Sequence, residues 1–294
     1  MTRSWLQRRV IAYAHQGGAK EAPSSTLYAI EQALAAGATA IELDVHATAD
    51  GEIVVCHDPT LERTTEASGA IAKHTLDELL RLDNAYWFVP GEDAQPGRSP
   101  DSYPLRGRAP ADRGLGVATL VSVIERFPGV ILNLDIKRTA PEVSPYEESL
   151  ANLLRSHGRI DDVIVASFHD RATDAFRSHA PEIATSAGRK AVASFTLSHW
   201  ARRKPDPSIA RHVALQVPAG ILGKRIVTPR YLAEAHELGL AVHVWTIDEP
   251  AEMERLIRLG VDGVISDKPS VLARVIERCG ATWRDAPGVP PRAA

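Results

Sequence analysis

The residues most able to do chemistry lie between positions 40 and 58. Glu42, Asp44 and His46 alternate with Ile41, Leu43 and Val45. On a strand the three polar side chains therefore share one face, and the three apolar ones share the other. Asp50-Gly51 is a hairpin-turn signal, and Ile53–Cys56 reads as the returning strand, which brings His57 roughly opposite Asp44. Two carboxylates and an imidazole converging at one strand end suit a hard divalent cation beside an acid–base histidine. A second histidine closes the apolar run Ile11–Ala14, in the sequence His15-Gln16-Gly17-Gly18. A polar residue followed by glycines, at the carboxyl end of a buried parallel strand, is where α/β folds place ligand-binding groups.

These positions need a scaffold, and the chain alternates short β-rich runs with longer helical patterns. Strands are expected at 11–14, 40–45, 130–136, 163–166, 182–185, 213–217, 241–246 and 263–266. Helices are expected near 27–36, 76–82, 120–126, 146–157, 172–178, 194–203, 231–238, 251–259 and 271–279. Residues 84–117 break the pattern with Pro90-Gly91, Pro96-Gly97 and Pro104, and are too long for an ordinary connection, so they read as an inserted segment. With the hairpin set aside, eight parallel strands remain, which fits an α/β (β/α)₈ TIM barrel with a hairpin excursion after strand 2 and the insertion between strands 2 and 3. One barrel is expected over residues 8–280, followed by a disordered tail at 281–294. The chemistry-bearing residues cluster at strand carboxyl ends: His15, Glu42 and Asp44 with His57, Asp135 with Lys137, Trp245, and Asp267 with Lys268. In a barrel those ends form one face. His46, His169 and His243 are expected to be structural, and Arg63 to pin the hairpin. Core packing and ligand contact are equal readings for Trp245.

Composition narrows the function. Of 294 residues 44% are hydrophobic and 24% charged, enough for a full core and unlike a disordered chain. The formal net charge is −3 and no basic block stands out, which argues against a nucleic-acid surface. Arg202-Arg203-Lys204 reads as solvated surface. No stretch approaches a membrane span, and Met1–Arg9 has no apolar signal core. Cys56 and Cys279 read as reduced thiols, so a reducing cytoplasm is the expected compartment.

The ordered set of motifs resembles the glycerophosphodiester phosphodiesterase family. It comprises His15-Gln16-Gly17, Pro23 to Thr26, Ile41-Glu-Leu-Asp-Val45, Thr48-Ala-Asp-Gly51 and His57-Asp58-Pro-Thr-Leu-Glu-Arg-Thr-Thr65. Leu132-Asn-Leu-Asp-Ile-Lys137, Val244-Trp245-Thr246 and Gly260 to Asp267 complete it. The resemblance implies a barrel that hydrolyses small glycerophosphodiesters to an alcohol and glycerol 3-phosphate. It implies a divalent cation, Mg²⁺ or Ca²⁺, on Glu42, Asp44 and Asp135, catalytic His15 and His57, and a phosphate-facing Lys137. Three positions depart from the family pattern: Gln16 stands where it has arginine, Ser24 where it has glutamate, and Asp135 where it has glutamate. Gln16 thus occupies a substrate-binding position without the charge, and Trp245 offers an apolar platform for glycerol carbons.

A phosphodiester is anionic, and its leaving alkoxide is poor unless protonated. A divalent cation offsets the charge, and two histidines serve as base and acid. His15 is assigned as base and His57 as acid, with the reverse nearly equivalent. Two other readings stand beside this one. A lysophospholipase D would use an exposed apolar rim such as Tyr86-Trp87-Phe88-Val89, and a non-catalytic barrel would bind phosphorylated metabolites.

Overall fold

In the computed structural model, which describes residues 5–221 and 223–281, the apolar runs become the staves of a barrel. The strands are β1 (Ile11–His15), β2 (Ala40–Ala47), β3 (Ile53–Val55), β4 (Ala118–Thr119), β5 (Ile131–Ile136), β6 (Val163–Ala166), β7 (Ala184–Thr185), β8 (Ala214–Pro218), β9 (Gly220–Ile221), β10 (Lys224–Arg225), β11 (Ala241–Trp245) and β12 (Gly263–Ser266). The helices are α1 (Leu27–Ala35), α2 (Leu76–Leu79), α3 (Leu120–Arg126), α4 (Glu147–Ser156), α5 (Asp170–His179), α6 (Arg189–Trp200), α7 (Pro229–Glu237), α8 (Pro250–Leu259) and α9 (Pro269–Arg278).

Eight parallel strands run in the order β7-β6-β5-β2-β1-β12-β11-β8. Between the two end strands Ser186 bridges Ala214, Ala187 N–H donates to the Ala214 carbonyl (2.9 Å) and Val213 N–H to that of Thr185 (2.9 Å), which all but closes the barrel. Ile11, Tyr13, Ala40, Ile131, Ile164, Ala214, Ala241 and Ile265 fill the interior with Trp5. The outward faces of the strands pack against the helices in two larger clusters, one around α1 and α3–α5 and the other around α6–α9.

β2 outlasts its barrel neighbours, and this creates the hairpin. Its first residues pair in parallel with β1 and β5, and Val45–Ala47 pair antiparallel with Val55–Ile53 of β3. Cys56 N–H donates to the Asp44 carbonyl at 3.0 Å, so Cys56 sits opposite Asp44 and His57 is one residue further on. Thr48 Oγ1 donates to Asp50 at the turn (2.5 Å). β4, a strand not anticipated from the sequence, extends the ribbon on the far side of β3 and ends the insertion. α2 stops at Leu79, short of the expected Leu82, because Arg81 and Leu82 turn back onto Glu78 and Leu79 with tighter bonds. α6 starts and ends earlier than expected, at Arg189 and Trp200. The tail expected to be disordered, apart from Ala281, lies outside the described residues.

Candidate active site

β1 delivers His15 and then must turn sharply. Gln16, Gly17 and Gly18 all have positive φ, at 52°, 81° and 100°. A Cβ on Gly18 would meet Pro269 at 2.8 Å, so only glycine fits between this turn and α9. The turn aims Gln16 N–H at Glu42 Oε2 (3.2 Å), and the Gln16 carbonyl accepts from Ser25 N–H (2.7 Å). Gln16 and the Pro23–Thr26 loop, the two places where arginine and glutamate are missing, are thus one structural unit. Thr26 closes that loop and caps α1, accepting from Ala29 N–H at 3.0 Å.

Each histidine is oriented by a carboxylate. His15 Nδ1 lies 2.6 Å from Asp267 Oδ1, and His57 Nδ1 lies 2.6 Å from Asp58 Oδ1. Their ring centroids are 6.3 Å apart and the planes nearly perpendicular, at 82°. Gln16 Nε2 lies 3.3 Å from His15 Nε2. Behind the dyads stands a second layer. Arg63 Nε donates to Asp58 Oδ2 (2.8 Å), and with His57, the stronger influence, it holds Asp58 down at about 2. Lys20 Nζ bonds Asp248 (2.7 Å), and Asp248 accepts from Asp267 N–H (2.9 Å). Both histidines, Gln16, Ser24, Asp58, Arg63, Asn84 and Asp267 line a cavity of about 280 Å³. Phe88, Asp93 and Ala94 of the insertion also line it.

The carboxylates of β2 and β5 adjoin this cavity without lining it. Register sets Asp44 beside Asp135 and Glu42 beside His15. Lys137 Nζ reaches back to Asp44 Oδ1 (2.8 Å) and Asp135 Oδ2 (3.1 Å), and Glu42 Oε2 is 3.8 Å from His15 Nε2. Asp44 Oδ2 and Asp135 Oδ1 are buried without a hydrogen-bond partner among the described residues. Burial, then the neighbouring Glu42 charge, raises Asp44 to about 7. Burial likewise raises Glu42. For His15 burial works downward, but Glu42 and Asp267 outweigh it and raise the ring to about 9. For Lys137 burial again works downward, and Asp44, Asp135 and Glu42 hold it above its ordinary value. Among the described residues no group of three or more His, Cys, Asp or Glu side chains is already gathered around one centre as metal ligands are. The Lys137 ammonium occupies the space between Asp44 and Asp135.

Trp245 stands at the end of β11, edge-to-face with Phe168 at 5.6 Å, and Lys137 Nζ is 5.9 Å from the Phe168 ring. Phe168 is 51% exposed, and nothing in its sequence surroundings marks it. Tyr86-Trp87-Phe88-Val89 does not form the exposed apolar rim anticipated, since Phe88 and Val89 are buried inside the insertion. His46 is buried beside a separate cavity with Arg138 and Tyr146, and burial lowers it to about 4.

Comparison with known proteins decides the family. Residues 15–271 match the model of the glycerophosphoryl diester phosphodiesterase family. The chain belongs to this family. It is accordingly a phosphoric diester hydrolase acting on glycerophosphodiesters. It is 28% identical to a glycerophosphodiester phosphodiesterase of Caldanaerobacter subterraneus, over 92% of this chain and 100% of that protein. It is 30% identical to one of Bacillus subtilis, over 91% of this chain and 86% of that protein. Among solved structures, a glycerophosphodiester phosphodiesterase of Agrobacterium tumefaciens superposes with a TM-score of 0.68 at 23% identity, covering 90% of this chain and 99% of its own. An Oleispira antarctica phosphodiesterase in complex with the product sn-glycerol-3-phosphate superposes with a TM-score of 0.69 at 23% identity, over 94% and 100% of the two chains. These structural likenesses carry the barrel fold. Among the described residues no helix is long and apolar enough to cross a membrane.

Proposed function

We propose that this protein hydrolyses glycerophosphodiesters to an alcohol and glycerol 3-phosphate in the cavity between His15 and His57. The observation that carries the reading is the pair of carboxylate-oriented histidines, edge to face at 6.3 Å in one cavity. In each ring the Nδ1 side is committed to a carboxylate, so Nε2 is the atom left for substrate. His15 is assigned as the base and His57 as the acid. His15 takes a proton from the attacking oxygen, which is water or the neighbouring glycerol hydroxyl. An oxygen–phosphorus bond forms, the bond to the alcohol breaks, and the departing oxygen leaves with a proton from His57. If the glycerol hydroxyl attacks first, a cyclic phosphate results, and water opens it with the two roles exchanged. The product found with the Oleispira antarctica phosphodiesterase, glycerol 3-phosphate, is the one this reaction leaves.

Glu42, Asp44 and Asp135 would hold Mg²⁺ or Ca²⁺. The fit rests on their hard oxygen donors, on the unpartnered Asp44 Oδ2 and Asp135 Oδ1, and on buried carboxylates that outnumber the one ammonium set between them. Such a cation, when bound, supplies charge neutralisation of the phosphate oxygens. Gln16 lines the cavity, and Lys137 and Trp245 are assigned to substrate from beyond its lining, with Phe168 beside Trp245. Residues 84–117 belong to the same domain, 8–280, as an inserted wall of the site. The free thiols Cys56 and Cys279 suit a cytoplasmic setting. The burial of Phe88 and Val89 removes the support for a lysophospholipid substrate that rested on their exposure.

The test is a panel of glycerophosphodiesters and lysophospholipids assayed with Mg²⁺, Ca²⁺ and a chelator, with product identification. Glycerol 3-phosphate released only with a divalent cation is expected. His15→Ala and His57→Ala should each lower kcat by roughly 10²–10⁴-fold. Near wild-type turnover in either variant removes that histidine from the mechanism. Asp44→Asn should abolish calorimetrically measured cation binding, and unchanged binding would refute the ligand set.

A further inference from the structure

The solvent faces of most outer helices are dressed with ion pairs, such as Arg255–Glu252 and Arg258–Glu254 on α8 and Arg155–Glu182 from α4. α6 is different. Its inner side is conventional: Phe195 and His199 pack edge-on against Tyr231 of α7, at 5.0 and 5.3 Å, and His199 bonds Glu234 (2.6 Å). Its outer side presents Leu197, 61% exposed, and Trp200, 46% exposed. Three residues apart on a helix, they lie side by side.

Along the chain the charge around this pair has one sign, and the Glu234 carboxylate behind α6 is taken up by His199 and Arg230. The chain carries no carboxylate from Ile183 to Pro205. Arg189, Lys190, Arg202, Arg203 and Lys204 are all exposed, and none makes an ion pair among the described residues. The last three follow directly beyond Trp200, and the backbone holds the first two in place. Arg202 takes a left-handed conformation (φ 53°), its N–H donates to the His199 carbonyl (3.1 Å), and Arg203 N–H donates to that of Ser198 (2.9 Å).

We propose that this face of α6 docks on an anionic lipid bilayer. Indole and leucine enter the boundary between headgroups and acyl chains, where tryptophan partitions well, and Arg202, Arg203 and Lys204 lie among the anionic headgroups. Charge complementarity selects this occupant: the chain as a whole is at −3, so attraction to a negative surface is local to this face. The apolar stripe is short, so docking is shallow and reversible. None of these residues lines the site cavity. The inference is independent of the substrate reading above.

The experiment is flotation of the full chain with phosphatidylcholine vesicles, with and without phosphatidylglycerol, at low and high salt. Binding to the anionic vesicles alone, weakened by salt, is expected. The variant R202E/R203E/K204E should bind at least about tenfold more weakly. The variant L197S/W200S should also bind more weakly and lose the blue shift of tryptophan fluorescence that vesicles induce in the parent. Far-UV circular dichroism and melting temperature, unchanged in both, show that the fold is intact. Absence of vesicle binding, or equal binding by parent and both variants, overturns the proposal. So does a self-association, seen by sedimentation, that both variants abolish without any vesicle effect, because the face then belongs to a second copy.

Discussion

His15 and His57 are built alike: an imidazole whose Nδ1 is fixed at 2.6 Å by a carboxylate that has a cation beside it, Lys20 at 3.8 Å from Asp267 and Arg63 at 2.8 Å from Asp58. If Asp267 fixes the tautomer of His15, Asp267→Asn should lower kcat by roughly 10²-fold with little change in KM, because an amide at this place can donate to Nδ1 and move the ring proton to Nε2. An unchanged kcat would show that His15 is oriented without it. Lys137 gives a second prediction. Its ammonium is the counter-charge of Asp44 and Asp135, so Lys137→Met should cost about 3–5 kcal/mol of stability, the usual range for breaking a buried pair. It should also show a larger rise in melting temperature with Mg²⁺ or Ca²⁺ than the parent, because no ammonium competes for the carboxylates. An equal or smaller rise would place the cation elsewhere. The histidines and the β2 carboxylates were legible in the sequence because alternation fixes which residues share a strand face. Asp267 was legible only as a strand-end residue, because its partner His15 lies 252 positions away and pairing over that span depends on barrel closure. Phe168 was not legible at all, since an exposed aromatic after a strand leaves no periodic trace.

At the scale of elements, the insertion is where sequence pattern fails and side-chain chemistry takes over. Its backbone is tied to Asp83, which accepts from Ala85 N–H (2.9 Å) and Gly107 N–H (2.6 Å). Its centre is the Arg106 guanidinium, stacked at 4.2 Å on Tyr86, 4.4 Å on Trp87 and 4.0 Å on Tyr103. Trp87 in turn donates to the Thr65 carbonyl (2.6 Å), which anchors the segment to the loop that carries His57 and Arg63. Cation–π contacts contribute roughly 0.5–1 kcal/mol each at partly exposed sites, so Arg106→Ala should free the insertion by about 1–3 kcal/mol. The expected signature is faster amide exchange over 84–107 and a raised KM, since Phe88, Asp93 and Ala94 line the cavity, with kcat nearly unchanged. Unchanged exchange would mean that Asp83 alone holds the segment. The βα units were legible because hydrophobic periodicity is local. The insertion was not, because Arg106 and its three rings are irregularly spaced and meet only in the folded chain. β4 is two residues long and exists only because β3 offers an edge.

At the scale of the molecule, the barrel interior carries a built-in sensitivity to acid. His243 on β11 is fully buried, its ring 5.1 Å from that of Tyr13, and neither ring nitrogen has a hydrogen-bond partner among the described residues. Burial lowers it to about 4, with Asp262 opposing. His212, bonded to Thr185 (2.9 Å) beside β7, is also lowered to about 4, by burial first and Arg211 second. In the unfolded chain both titrate near 6.5. Between those values the unfolded state binds more protons than the folded one, so stability rises with pH across this window. Stability is therefore complete above about pH 6.5, declines as pH falls towards 4, and loses nothing further from these groups below it. One pKa unit is about 1.4 kcal/mol, so His243 alone contributes roughly 3 kcal/mol to that decline. His243→Phe keeps an aromatic ring against Tyr13 and removes the titration. Urea midpoints measured from pH 7.5 to 4.5 should fall steeply for the parent and clearly less for the variant, with the curves diverging below pH 6.5. Parallel curves would show that the acid sensitivity does not come from His243. The buried carboxylates at the barrel mouth cannot mimic it, because a carboxylate raised by burial, such as Asp44, shifts stability in the opposite sense: its folded form holds the extra proton between its unfolded value and about 7, so it favours folding as pH falls.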